Sequence, residues 1–260
     1  MTKLKIGVSQ KAFSLPLREA LVQISRVGAG GVQIIPYGEL APENLSETGT
    51  RALRRLLESL DLKVASVAFP TRRGYNVAAQ LEERIAATKR ALALSYQLRA
   101  PVVTNSIGPW SEDPDDAGRI LQSQALQEIG QFAEHVGAVF AITPDTHSPT
   151  QLKGLLETLD SAGLGVNYDP ATVILAGLDP VRGVRELGAW VRHTDARDAA
   201  AGASSESAQA IPLGRGSLDW AEYLAALEEF NYRGWFVIQR SGGDDPHGDT
   251  ERAVKFLASF

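Results

Sequence analysis

Short apolar runs alternate along this chain with longer stretches of helical period. The runs cover residues 4–9, 31–35, 63–68, 101–105, 139–143, 165–169, 190–195 and 235–239. They are rich in Val and Ile and alternate little with polar residues, as expected for strands covered on both faces. Between the first two, Leu17, Ala20, Leu21, Ile24 and Val27 recur at the spacing of one helix face. Residues 51–60, 80–98, 123–136, 151–159, 180–187, 219–230 and 250–258 follow the same period. Gly28, Gly137, Gly163 and Gly188 close several of these stretches, where glycine suits a left-handed C-cap. Asp219 reads as an N-cap with Glu222 as its capping-box partner. Eight strands alternating with eight helices predict an α/β chain folded as a single (β/α)8 TIM barrel over residues 1–260. An open doubly wound sheet would carry a glycine-rich phosphate loop directly after a strand, whereas the glycine cluster at 28–31 follows a helix.

Four runs stop on a polar residue: VFAIT at Thr143, GVNYD at Asp169, WVRHTD at Asp195 and WFVIQ at Gln239. In a parallel barrel such ends converge on one face, where the chemistry is placed. Composition narrows the classes. The chain is 44% apolar, carries a net charge of −5 and has no basic run, which argues against nucleic acid or an anionic membrane surface as partner. Without cysteine there are no disulfides, thiolate metal sites or cysteine nucleophiles. No leader-like segment precedes the first run and no run approaches a membrane span, so a soluble, cytoplasmic protein is expected. The motifs G-x-S-x-G, H-E-x-x-H and G-x-x-x-x-G-K-[ST] are missing. Residues 199–210 (AAAGASSESAQA) are small and polar and predict a loop after the seventh strand, either a mobile lid or a disordered insertion.

GVNYDPATVILAGLDPV resembles the sixth-strand region of the xylose-isomerase-like TIM barrels, the sugar isomerases and epimerases with inosose dehydratases and endonuclease IV as relatives. IPLGRGSLDWAEYLAALEEFNYRGWFVIQRSGGDDP resembles their stretch from the seventh-strand loop through the eighth strand. HTDARD falls where they carry H-x-H-x-x-D, and FAITPDTHSP where they carry a strand ending in Glu. The resemblance implies a divalent cation held by Glu, Asp, the second His of H-x-H, and Glu at the ends of strands five to eight. It implies also that the two glutamates move a proton on carbon.

This chain keeps only Asp169 of that set. Thr143, Asp195 and Gln239 stand where Glu, His and Glu are expected. Four histidines in all are too few for the endonuclease branch. Zinc or cobalt would lose its nitrogen ligand; Mg²⁺ or Mn²⁺ would retain Asp169 and Asp195 as weak metal ligands, and no bound cation at all is the favoured expectation. Neither Thr143 nor Gln239 takes a proton from carbon near neutral pH, so the two-glutamate mechanism does not run as written. Candidates to compensate are Asp145 and His147 beyond strand five, and His193, which shares the inward parity of Asp195. Asp169 and Asp195 at adjacent strand ends either share a cation, form a network with arginine, or take separate solvated roles. Arg197, Arg215 and Arg240 are near enough in sequence to supply the charge, and would make the mouth more hospitable to a sugar acid or sugar phosphate. Trp110, Phe13 and Phe69 are candidates to stack on a sugar ring or to pack at the rim.

The expectation is a divergent sugar isomerase/epimerase-like barrel that binds a carbohydrate or polyol-like small molecule at its C-terminal mouth. Asp169, Asp195, His193 and Asp145 are its catalytic candidates; Thr143, Gln239, Arg197, Arg215 and Trp110 are its binding candidates. A catalytically silent family member acting as a binding or partner protein is the alternative. A homo-oligomer is an expectation by analogy only.

Overall fold

The computed structural model describes residues 3–144, 148–202, 211–239 and 245–260. Eight parallel strands close into a barrel in chain order: β1 (Lys5–Ser9), β2 (Gly31–Ile34), β3 (Lys63–Ala68), β4 (Val102–Ser106), β5 (Val139–Thr143), β6 (Leu164–Tyr168), β7 (Val191–Ala196) and β8 (Trp235–Ile238). β8 returns to β1 with Lys5 opposite Trp235 and Val8 opposite Ile238. The strands are buried almost throughout, which is why their sequences show little regular alternation of apolar and polar residues.

Helices α1 (Leu17–Arg26), α2 (Glu47–Ser59), α3 (Leu81–Gln97), α4 (Ala117–Val136), α5 (Pro149–Leu159), α6 (Pro170–Leu175), α7 (Pro180–Leu187), α8 (Trp220–Glu229) and α9 (Pro246–Ala258) surround the sheet. Three begin earlier than their apolar period predicts. Ser46, Asp116 and Asp245 cap α2, α4 and α9 by accepting from Gly49, Arg119 and Gly248 N–H, so each helix begins on a turn with few apolar residues and gives little apolar signal. Asp219 caps α8, accepting from Glu222 N–H, while the reciprocal Glu222 side-chain bond of the expected capping box is not among the bonds of the described residues.

The short helix α6 is the departure that matters most for the site. Residue 169 does not end a strand: Asp169 is the N-cap of α6, with Pro170 at its first position. The two C-cap glycines Gly28 and Gly137 do adopt positive φ, +84° and +74°. Gly163 and Gly188 do not; they are small because neighbours crowd them. A Cβ on Gly163 would lie 2.0 Å from Gly130 O, and one on Gly188 would lie 2.2 Å from the Phe230 ring. Among the described residues, no helix is long and apolar enough to cross a membrane.

Candidate functional site

A cavity of about 400 Å³ opens at the C-terminal end of the barrel. Thr143, Asp169, Asp195, Arg197 and Gln239 all line it, together with Ser9, Lys11, Gln33, Thr104, Asn105 and Asn167. The polar ends of β5 to β8 therefore do meet. Trp110, Phe13, Phe69, His193 and Arg215 are not among the lining residues. The Arg119 guanidinium covers the Trp110 ring at 4.9 Å, and Phe13 packs on His247. Arg215 is exposed for a local reason: Gly214 and Gly216 on either side turn their N–H groups inward to Asp198. Asp145, His147 and Arg240 lie outside the described residues, as do positions 203–210 of the expected lid.

At the cavity floor a layer of polar side chains crosses the barrel, with Ser66 and His193 beneath the lining residues. Gln239 Nε2 donates to Asp195 Oδ1 (2.9 Å) and to Gln33 Oε1 (2.8 Å). Gln33 Nε2 donates to Ser66 Oγ (3.1 Å), which bonds to His193 Nε2 (2.9 Å). His193 Nδ1 meets Asn167 Oδ1 at 2.6 Å, and Asn167 Nδ2 donates to Asp195 Oδ2 and to Thr143 Oγ1, both at 3.0 Å. The chain of bonds closes on itself at Asp195.

The proton positions follow from the carboxylate. An ionised Asp195 only accepts, so both amides turn their NH2 groups to it. The Asn167 oxygen is then left for His193, which must carry its proton on Nδ1. Its Nε2 accepts from the Ser66 hydroxyl, which in turn accepts from Gln33. Every donor in the circuit has an acceptor when His193 is neutral. Burial pushes the imidazole down to about 3. His193 is thus fully buried, bonded at both nitrogens and held below the cavity, where its proton has no route to a ligand.

That gives a pH prediction with a definite sign. A histidine whose folded pKa lies below its unfolded value contributes stability above about pH 6.5 that is lost as pH falls toward 3. Urea unfolding is expected to weaken by about 1.4 kcal/mol per pH unit below pH 6 from this residue alone. His193→Gln should flatten that slope; an unchanged slope would show that His193 is not the group taken up.

Asp169 is bound differently. Its Oδ1 accepts from Ala171 N–H (3.0 Å), and its Oδ2 accepts from Thr172 Oγ1 (2.9 Å) and forms an ion pair with Arg197 Nη1. Burial pushes both carboxyls above the usual carboxylate range. Arg197 pulls Asp169 down again, while the amide bonds from Gln239 and Asn167 do so for Asp195. Of the arrangements open from sequence, the structure has the arginine network at Asp169; at Asp195 it has instead an amide network that was not among them.

A divalent cation does not fit this donor set. The expected ligand positions offer Thr143, whose hydroxyl accepts from Asn167, and Gln239, whose NH2 end is turned to Asp195. Asp169 already holds a guanidinium, and both Asp195 oxygens face N–H donors. Among the described residues, no group of three or more His, Cys, Asp or Glu converges as a metal site would.

Asn167, Gln33 and Ser66 were not singled out from sequence. For Asn167 a signal was present: it is two residues before Asp169 and so shares its inward parity. Asp198, the closing Asp of HTDARD, carries no assigned role in the sequence reading although the H-x-H-x-x-D pattern marks it. It is buried after β7 and accepts from five donors, the N–H groups of Ala199, Gly214, Gly216 and Leu218 and the Trp220 indole.

The chain belongs to the xylose isomerase-like TIM barrel family, whose model matches residues 21–260. Among solved structures it is similar to a xylose isomerase domain protein from Planctomyces limnophilus, at 22% identity over 99% of this chain and 97% of that one, with a TM-score of 0.82. It is also similar to a 3-keto-D-glucoside 4-epimerase from E. coli (17% identity, 99% and 100% covered, TM-score 0.81). A D-psicose 3-epimerase from Clostridium cellulolyticum H10 aligns at 14% identity, with 98% and 99% covered and a TM-score of 0.81. At such identities the likeness establishes the fold. No curated protein matches the chain in sequence.

Proposed function

We propose that this barrel binds a carbohydrate or polyol-like small molecule in its C-terminal cavity and does so without a resident divalent cation. The observation that carries the reading is the Arg197–Asp169 ion pair: a guanidinium occupies the one acidic position that the chain shares with the family's ligand set. The cavity supports the ligand class. It is a size suited to a monosaccharide, and its walls offer hydroxyl and amide groups from Ser9, Thr104, Asn105, Thr143 and Gln239. The epimerases of the same fold act on sugars by their names, which supports the class and leaves the individual ligand open.

One observation favours a second, catalytic reading. Asp169 and Asp195 are buried in a cleft with their pKa values raised, a condition in which a carboxyl can serve as general acid or base. In that reading Asp195 or Asp169 moves a proton on a bound ketose, without a metal.

The two readings separate in D2O. Ketoses and polyols are screened by saturation-transfer NMR, and hits are incubated with the protein and followed for loss of the C–H signal beside the carbonyl. Binding without exchange is the expected result, and deuterium incorporation that Asp195→Asn removes would establish the catalytic reading. Millimolar MnCl2 or MgCl2 is expected to leave the melting temperature unchanged, since a ligand of the folded state must raise it. A clear rise with Mn²⁺, lost in Asp169→Asn, would overturn the metal-free site.

A further inference from the structure

The opposite, N-terminal end of the barrel holds a second cavity of about 470 Å³, lined by Lys5, Arg54, Lys63, Arg99, Glu58 and Trp235 among others. Its construction follows from the strand register. Lys5 opens β1 and lies opposite Trp235 at the start of β8; Lys63 opens β3 and lies opposite Gly31 at the start of β2. A Cβ on Gly31 would fall 2.6 Å from a carbon of the Trp235 ring. The bare glycine therefore lets the indole lie across the foot of β2, between the two lysines. Arg54 and Glu58 come from α2, and Arg99 from the turn after α3.

The charge there runs against the rest of the molecule. Four cations and one carboxylate give a local charge of +3 in a chain whose net charge is −5. Among the described residues none of the four cations takes part in an ion pair. Like charges gathered round one concavity repel, and an anion between them relieves the repulsion. Two guanidinium forks suit an oxygen-rich anion in two directions, and two ammonium groups add point charge without demanding a geometry. The half-buried indole supplies an apolar floor.

We infer that this lower cavity is a second binding site, separate from the mouth, for a small multivalent phosphoryl anion. It is remote from the C-terminal face on which the barrel's strand-end residues converge, so its role is to bind and to stabilise.

Pyrophosphate is the probe. Titrated calorimetrically into the full chain at about 150 mM salt, it is expected to bind saturably with one site per chain. Arg99→Ser and Lys63→Ser should each weaken it about tenfold, the loss expected for one hydrogen bond to a charged group. Arg54→Ser combined with Arg99→Ser should abolish it, with the melting temperature of the unliganded variant used to confirm folding. Lys11→Gln, at the upper mouth, should leave it unchanged. No saturable binding up to about 10 mM pyrophosphate, against the millimolar floor of specific affinity, would overturn the inference. So would binding that survives the double substitution or is lost in Lys11→Gln.

Discussion

Arg197→Met is expected to destabilise the folded chain by about 3 kcal/mol at pH 7.5, the range for breaking one half of a buried ion pair. The Asp169 side chain is only 3% exposed and Arg197 21%, so the carboxylate left behind stays buried while the arginine had partial access to water. Asp169 would keep Ala171 N–H and Thr172 Oγ1 but lose its counter-charge. The pH dependence follows from the direction of the shift. A carboxyl whose folded pKa lies above its unfolded value contributes most stability below about pH 4 and loses it as pH rises toward the folded value. In the native chain Arg197 opposes that shift; without it the folded value moves higher and the loss extends to higher pH. The deficit of Arg197→Met should therefore be smaller at pH 5 than at pH 8, and Asp169→Asn added to it should recover much of the stability. A pH-independent deficit, or no rescue by Asp169→Asn, would show that Arg197 contributes by packing rather than charge. Guanidinium chloride is unsuitable here because it screens the pair; urea unfolding at several pH values is the measurement.

Asp198→Ala should cost about 4 kcal/mol, since hydrogen bonds to a charged group contribute more than neutral ones and five donors lose their acceptor together. The cost stays below a simple sum because Gly214 and Gly216 are near enough to the surface to find water. Asp198→Asn separates charge from shape. Oδ1 takes Ala199 and Leu218, while Oδ2 takes Gly214, Gly216 and the Trp220 indole. An amide can satisfy one of these sets and must set its NH2 against the other, so about half the loss is expected to remain. If Asp198→Asn matches the native chain within about 0.5 kcal/mol in urea unfolding, water replaces the carboxylate, because a change that small is that of an ordinary surface substitution.

The barrel was legible because eight apolar runs needed no long-range information to be seen, and because their polar ends mark one face. Thr143, Asp169, Asp195 and Gln239 stand out in that way and Arg197 by its nearness to them in sequence, and all five meet round one cavity. What local pattern did not carry was the pairing. Gln33, Ser66 and His193 come together across the lumen, from β2, β3 and β7, and only closure of the sheet brings them within hydrogen-bond reach. His193 and Asp195 share a face, yet one lies below the floor and the other in it, a difference of depth that parity does not encode. Arg197 and Arg215 read alike as cations near strand seven. The glycines beside Arg215, drawn in to Asp198, turn it outward.

Asp198 also bears on how this chain can change. One carboxylate joins position 198 to positions 214, 216, 218 and 220, closing a loop in a protein that has no cysteine to close it covalently. The tie needs neither an oxidising compartment nor a fixed length of chain between its ends. Doubling such a loop costs only about 0.6 kcal/mol in closure entropy. Residues between positions 198 and 214 can thus be inserted, deleted or exchanged while the strand that carries His193 and Asp195, with Arg197 just after it, stays anchored, leaving that segment free to diverge faster than the barrel.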